Sequence, residues 1–295
     1  MKAILLVLFL SVFVVCAEDL FGNYKVEKIA DGLVFTEGPV WLPAENALLF
    51  SDVRGNTLYR WTEKEDLETF RKPSLQSNGN TLDPQGQLVT CRHAGRDVIR
   101  TEPDGSLTVL ADTHNDGKLN SPNDVVVQAD GTVWFTDPPY GLKKRPKEQP
   151  FNAVYRLDPG AKEPVPVVTN LSYPNGLAFS PDGKTLYVAE SDWKIKPNFV
   201  MRYRVTGDGT LTDGERFVEV ETGAADGLRI DSDGRLFCTS GLGVEVFDAA
   251  GKRLGVIRTP TPASNCCFGG TDGKTLFVTA RDAVYRVPLA GTGLK

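Results

Sequence analysis

Six side chains that carry oxygen donors recur eight or nine residues ahead of a turn residue. Asn78, Asn123, Asn175, Asp226 and Asn265 each lie eight residues before a glycine, at 86, 131, 183, 234 and 273, and Glu37 lies nine before Asn46. Asn175 opens the run "NGLAF", where a strand ordinarily begins on an apolar or β-branched residue. Carboxylate and amide oxygens gathered in one place suit a hard cation: Ca²⁺, which takes roughly 6–8 oxygens at about 2.3–2.6 Å, or Mg²⁺ or Mn²⁺. Two histidines in the whole chain weigh against zinc. The expected cofactor is therefore a divalent metal, Ca²⁺ first, with Mg²⁺, Mn²⁺ or Zn²⁺ as alternatives. The plainer alternative is that these side chains only hydrogen-bond strand ends and channel water.

What positions such a column is a repeat. The stretches "PAENALLFSD" at 43, "DPQGQLVTCR" at 83, "QADGTVWFTD" at 128, "SPDGKTLYVAE" at 180, "DSDGRLFCTS" at 231 and "GTDGKTLFVTA" at 270 are six copies of one turn followed by an alternating run. Each is a hairpin signal with a third apolar run after it, and five of the six are followed by a fourth. The sixth lacks its fourth strand, and "YKVEKIA" at 24–30 has the length to supply it. Self-similarity at this period predicts an all-β, six-bladed β-propeller of four-stranded blades, its ring closed by an N-terminal strand. A sandwich or open solenoid gives no reason for a last unit one strand short. In a propeller the first strand of each blade lines the central channel, so the six donors should form a ring at one mouth.

Composition bounds the rest. Of 295 residues, 41% are hydrophobic and 24% charged, as in an ordinary globular protein, and a net charge of −5 without a basic patch gives nucleic acid no purchase. Residues 1–17 pair a charged start with an apolar run and small residues before Ala17, the pattern of a signal peptide. The expectation is an exported protein, periplasmic or secreted, with residues 18–295 forming one domain, a monomer with no membrane attachment after cleavage. The cysteines after residue 17, Cys91, Cys238, Cys266 and Cys267, form no C-x-x-C pair. Buried thiols are expected, with a disulfide from Cys238 to Cys266 or Cys267 as the alternative.

A cation held by two carboxylates and neutral amides keeps positive charge and can polarise a carbonyl or phosphoryl oxygen, so ester hydrolysis is the natural chemistry. Calcium acidifies bound water less than zinc does, and a carboxylate is expected to take the nucleophile's proton. Asp226 is the first choice and Glu37 the second, with the roles exchangeable. Loops after the second strands open at the same mouth, which puts Asp52, Arg54, His93, Arg96, Tyr140, Asp192, Trp193 and Arg281 around the entrance. Arg54, His93, Arg96 and Tyr140, with Asn78 and Asn123 from the ring, are the expected substrate contacts. His93 serves as a base, a hydroxyl contact or a loop brace, and His114 is expected to be exposed. The long loops at 137–152 and 190–198 are lid candidates, and the basic run at 143–147 is expected to be solvated. No G-x-S-x-G occurs, which removes a serine hydrolase.

The stretches "FTEGPVW", "LNSPNDVVVQADGTVWFTDPPYG", "PNGLAFSPDGKTLYVAESD", "DGLRIDSDG" and "NCCFGGTDGKTLFVTA" together resemble the gluconolactonase, senescence-marker-protein (regucalcin) and luciferin-regenerating-enzyme family over residues 33 to 288. The resemblance implies a six-bladed propeller, metal ligands at Glu37, Asn175 and Asp226, and Asn123 reaching the metal or the substrate. Ser121 stands where the regucalcin-type members carry arginine. The expected function is a metal-dependent hydrolase opening a small lactone, such as gluconolactone. The alternatives are a phosphotriester hydrolase on the same site, which the resemblance also allows, and a non-catalytic ligand-binding propeller.

Overall fold

A computed structural model describes residues 24–290. The leader expected at 1–17 lies outside them. The described chain holds six four-stranded antiparallel sheets and no helix. Their innermost strands are Thr36–Leu42, Ser77–Leu82, Val125–Val127, Pro174–Phe179, Leu228–Ile230 and Asn265–Gly269, numbered here as blades 1 to 6. In blades 1 to 5 sheet order follows chain order. In blade 6 the outermost strand is Glu27–Ala30, which pairs with Ala283–Pro288 through Glu27↔Arg286, Lys28↔Tyr285 and Ala30↔Val284. The propeller is closed as the repeat predicts.

Six apolar clusters fill the six gaps between neighbouring blades. Alternation along a strand sends successive side chains to opposite faces. In blade 1, Leu48 and Phe50 join the cluster shared with blade 6, whereas Ala47 and Leu49 join the one shared with blade 2. Middle strands such as Ala47–Asp52 are therefore buried along their whole length. The hairpin positions 86, 131, 183, 234 and 273 are glycines at positive φ, and Asn46 sits at φ 48°, so the repeat's register is fixed by backbone geometry that glycine and asparagine tolerate.

Two local features depart from expectation. The connection from blade 2 to blade 3 forms a small hairpin, Thr113–His114 with Gly117–Lys118. His114, expected to be exposed, is half-buried: its ring meets Tyr155 at 5.5 Å and Phe151 at 6.4 Å, and Nδ1 is bonded to the Pro164 carbonyl at 3.0 Å. The cysteines follow expectation: Cys91, Cys238, Cys266 and Cys267 are free, buried thiols, and the alternative disulfide from Cys238 to Cys266 or Cys267 is not formed.

Candidate active site

Five of the six oxygen donors meet in one cavity of about 520 Å³ at the mouth of the channel: Glu37, Asn78, Asn123, Asn175 and Asp226. They are wired together. Asn78 Nδ2 donates to Asn123 Oδ1 at 2.8 Å, Asn123 Nδ2 donates to Asn175 Oδ1 at 2.5 Å, and the Asn175 side chain in turn bonds the Asp226 carboxyl. His93 Nε2 stands 3.0 Å from both Asn78 Nδ2 and Asn123 Oδ1, able to accept from the first when bare and donate to the second when protonated. Asn265, the sixth donor, does not line the cavity. It lies buried behind, its Nδ2 donating to Glu37 Oε2 at 3.2 Å and its Oδ1 accepting from the Cys266 amide.

The walls come from the loops. Phe35, Val53, Arg54, His93, Tyr140, Lys143 and Trp193 line the cavity, and the Arg54 guanidinium stands 5.1 Å from the Phe35 ring centroid. Arg96 is absent from the lining. Its Nε donates to the Leu119 carbonyl at 2.6 Å and its Nη1 to Glu148 at 2.7 Å, so the expected substrate contact is a brace behind the wall. Asp52 caps loop amides of Val34, Phe35 and Gly55, Asp192 accepts from the Lys194 amide, and Arg281 is exposed away from the lining. The basic run at 143–147 is not simply solvated. Lys143 faces the cavity, and Arg145 donates to the carbonyls of His93, Ala94 and Gly141, tying the 137–152 loop to the loop that carries His93.

Comparison with known proteins fits this geometry. Residues 35–282 match the family described as SMP-30/Gluconolactonase/LRE-like region. The chain belongs to that family. A gluconolactonase of Zymomonas mobilis is 36% identical, covering 89% of this chain and 80% of its own. A pentonolactonase of Haloferax volcanii is 28% identical over 87% of this chain and 91% of its own. A solved gluconolactonase from Xanthomonas campestris superposes with TM-score 0.87 at 35% identity, covering 92% of each chain.

In this family member the site's electrostatics are dominated by burial. Desolvation pushes the Glu37 carboxyl up to about 8, helped by the nearby charge of Asp124 and opposed by bonds from the Gly38 amide and Asn265. Asp226 is held well above the usual carboxylate range, by desolvation first and then by the charges of Glu37 and Asp124. Burial takes His93 down to about 4, so its imidazole is neutral. The two buried carboxyls repel one another, and the Arg229 charge, which favours ionisation of Glu37, is outweighed by desolvation. Asn78 Oδ1 is also buried without a partner. Among the described residues no three His, Cys, Asp or Glu side chains are placed to hold a metal ion together, so a cation here would rely on amide oxygens beside the two carboxylates. That donor set fits Ca²⁺ or Mg²⁺ better than zinc.

The residues that aim these donors were missed in the sequence. Glu37, Asn78, Asn175 and Asp226 are each followed by glycine, and the pairing register shifts between Glu37 and Val40, Ser77 and Asn80, and Pro174 and Leu177. Such bulges re-aim a side chain. They also bring blades together: a Cβ on Gly38 would fall 1.9 Å from the Asn78 carbonyl oxygen, and one on Gly176 would fall 2.2 Å from that of Asp226. The signal, an acid or amide followed by glycine in four of the six units, was present in the chain.

Proposed function

We propose that this protein is a metal-dependent lactonase that opens a small sugar lactone such as gluconolactone. The observation that carries the reading is the pair of buried carboxyls, Glu37 and Asp226, set in a ring of amides at the floor of a cavity able to enclose a small molecule. The lactonases among its relatives support the substrate class. A floor of amides and imidazole suits hydroxylated substrates, whereas a phosphotriester favours an apolar one.

Glu37, Asn175 and Asp226 would hold the ion, with Asn123 beside it. When bound, the ion supplies positive charge that keeps both carboxylates ionised and polarises the lactone carbonyl. Asp226 takes a proton from the attacking water, whose oxygen adds to the carbonyl carbon. The ring C–O bond then breaks, the departing oxygen is protonated, and the product is a hydroxy acid that releases one proton at neutral pH. Asn78 and neutral His93 hold the substrate's hydroxyls. Tyr140, whose hydroxyl burial keeps protonated, bonds Ser191 and Asn175 and fixes the ring from above. The charged start, apolar run and small residues at 1–17 support export to the periplasm or beyond.

The test is proton release from glucono-1,5-lactone by residues 18–295, after chelation and with Ca²⁺, Mg²⁺, Mn²⁺ or Zn²⁺ restored. Activity should vanish on chelation and return with Ca²⁺, and Asp226→Asn should lower kcat at least about 100-fold. Full activity in the chelated protein would remove the metal. Untouched lactone beside a Ca²⁺-dependent rise in Tm would remove the substrate.

A further inference from the structure

The cavity exceeds what its floor needs. Its volume of about 520 Å³ lies in the range of about 300–1,000 Å³ that encloses a drug-sized ligand, while the oxygen ring engages one lactone carbonyl and its neighbouring hydroxyls. The rings of Tyr140 and Trp193 line the cavity, and Tyr173, outside the lining, packs against both. Tyr173 and Trp193 have centroids 4.7 Å apart, and Tyr140 lies 5.4 Å from Tyr173 and 6.3 Å from Trp193. A lone exposed apolar side chain is ordinary. Trp193 is 58% exposed, yet it is braced by two tyrosines and faces the cavity. Arg54, on blade 1, borders the same cavity from the opposite side of a six-membered ring, and Gln76 and Lys143 add hydrogen-bonding groups at the rim.

Aromatic faces flanked by donors match the two sides of a pyranose: its axial C–H bonds rest on a ring face, and its equatorial hydroxyls reach edge donors. An alkyl chain would use the faces and leave Arg54, Gln76 and Lys143 without a role. We infer that the enzyme accepts a lactone bearing a second sugar ring, an aldobionolactone, with the lactone on the oxygen floor and the second pyranose stacked on Trp193. This rests on the lactonase reading above and names the substrate class for that site.

The test compares kcat/KM for glucono-1,5-lactone and cellobiono-1,5-lactone in the metal-loaded wild type, Trp193→Ala and Trp193→Phe, beside tryptophan fluorescence titrated with cellobionic acid. The wild type should prefer the disaccharide lactone. Trp193→Ala should cut that preference roughly tenfold, chiefly through KM, about the worth of one good ring contact, and Trp193→Phe should restore most of it. Cellobionic acid should change the wild-type fluorescence and leave Trp193→Ala silent. Hydrolysis of both lactones with a ratio that Trp193→Ala does not move overturns the inference, as does a stronger preference for an alkyl-substituted lactone of equal length. If neither lactone is opened, the lactonase reading fails by itself, and the fluorescence titration alone decides whether a sugar ring sits on Trp193.

Discussion

The Glu37 carboxyl, pushed up to about 8 by burial, keeps in the folded metal-free protein a proton that the unfolded chain releases near 4.5. Between those values the folded state binds more protons, so its stability falls as pH rises. Asp137, raised by burial to about 7 from 3.8, acts in the same direction. His93 acts oppositely: it stays neutral down to about 4 when folded but titrates near 6.5 when unfolded, so it adds stability as pH rises through that interval and nothing further above it. From pH 6.5 to 8 the carboxyls act alone. Chelated protein should therefore lose Tm over that window, by roughly 2–4 °C for each kcal/mol. Ca²⁺ at Glu37 would take the place of that proton, so the loaded protein should lose clearly less Tm, keeping only the slope that Asp137 gives up to about pH 7. Thermal melts by circular dichroism at half-unit steps of pH check this, and a chelated Tm that holds steady would mean that Glu37 carries no such proton. The acid and amide column was legible because turns fix its register. The fate of Arg96 was not, because Glu148, which takes its guanidinium, arrives from a loop 52 residues further on.

At the scale of the strand, the six turns and the alternating runs behind them were readable from propensity alone, since each hairpin is a local event. The bulges were not, because they depend on how closely one blade's inner strand approaches the next. Gly38 and Gly86 separate the two effects. Both have positive φ, 46° and 80°, but a Cβ on Gly86 would meet nothing within 4 Å, whereas one on Gly38 would overlap the Asn78 carbonyl. Gly86→Ala should cost about 1 kcal/mol, from backbone strain alone. Gly38→Ala should cost at least about 3 kcal/mol, because backbone on the neighbouring blade must move as well, and it should weaken Ca²⁺ binding by displacing Glu37 and Asn78 together. Urea unfolding of the two variants, with calcium titrations of each, tests the distinction. Equal costs would show that the close approach exerts no constraint. The blade 2 to blade 3 hairpin escaped the sequence for a related reason: His114 is polar, and its partners Phe151, Tyr155 and Pro164 all lie more than 35 residues away.

For the whole molecule, closure decides whether six blades behave as one. Each blade contributes to two apolar clusters, so loosening one exposes the cores on both of its sides. The N-terminal segment sits at the most consequential place. Tyr24 and Val26 pack on the cluster between blades 5 and 6, Ile29 and Ala30 on the one between blades 6 and 1, and Glu27–Ala30 covers the edge of Ala283–Pro288. Without it that strand would present unpaired N–H and C=O groups beside apolar side chains, a template for association with other chains. The missing fourth strand of the last repeat made this closure legible in the sequence, since a propeller blade cannot stop at three without opening the ring. Residues 33–295 should thus melt about 10 °C or more below residues 18–295, and should aggregate where the longer chain stays monodisperse. Calorimetry and light scattering measure both. A synthetic peptide of residues 18–32 added in trans should recover part of the lost Tm, rising with the logarithm of its concentration above Kd, as expected of a ligand that binds only the folded ring. An unchanged Tm in the shortened chain would instead mean that the six inter-blade cores hold the ring shut by themselves.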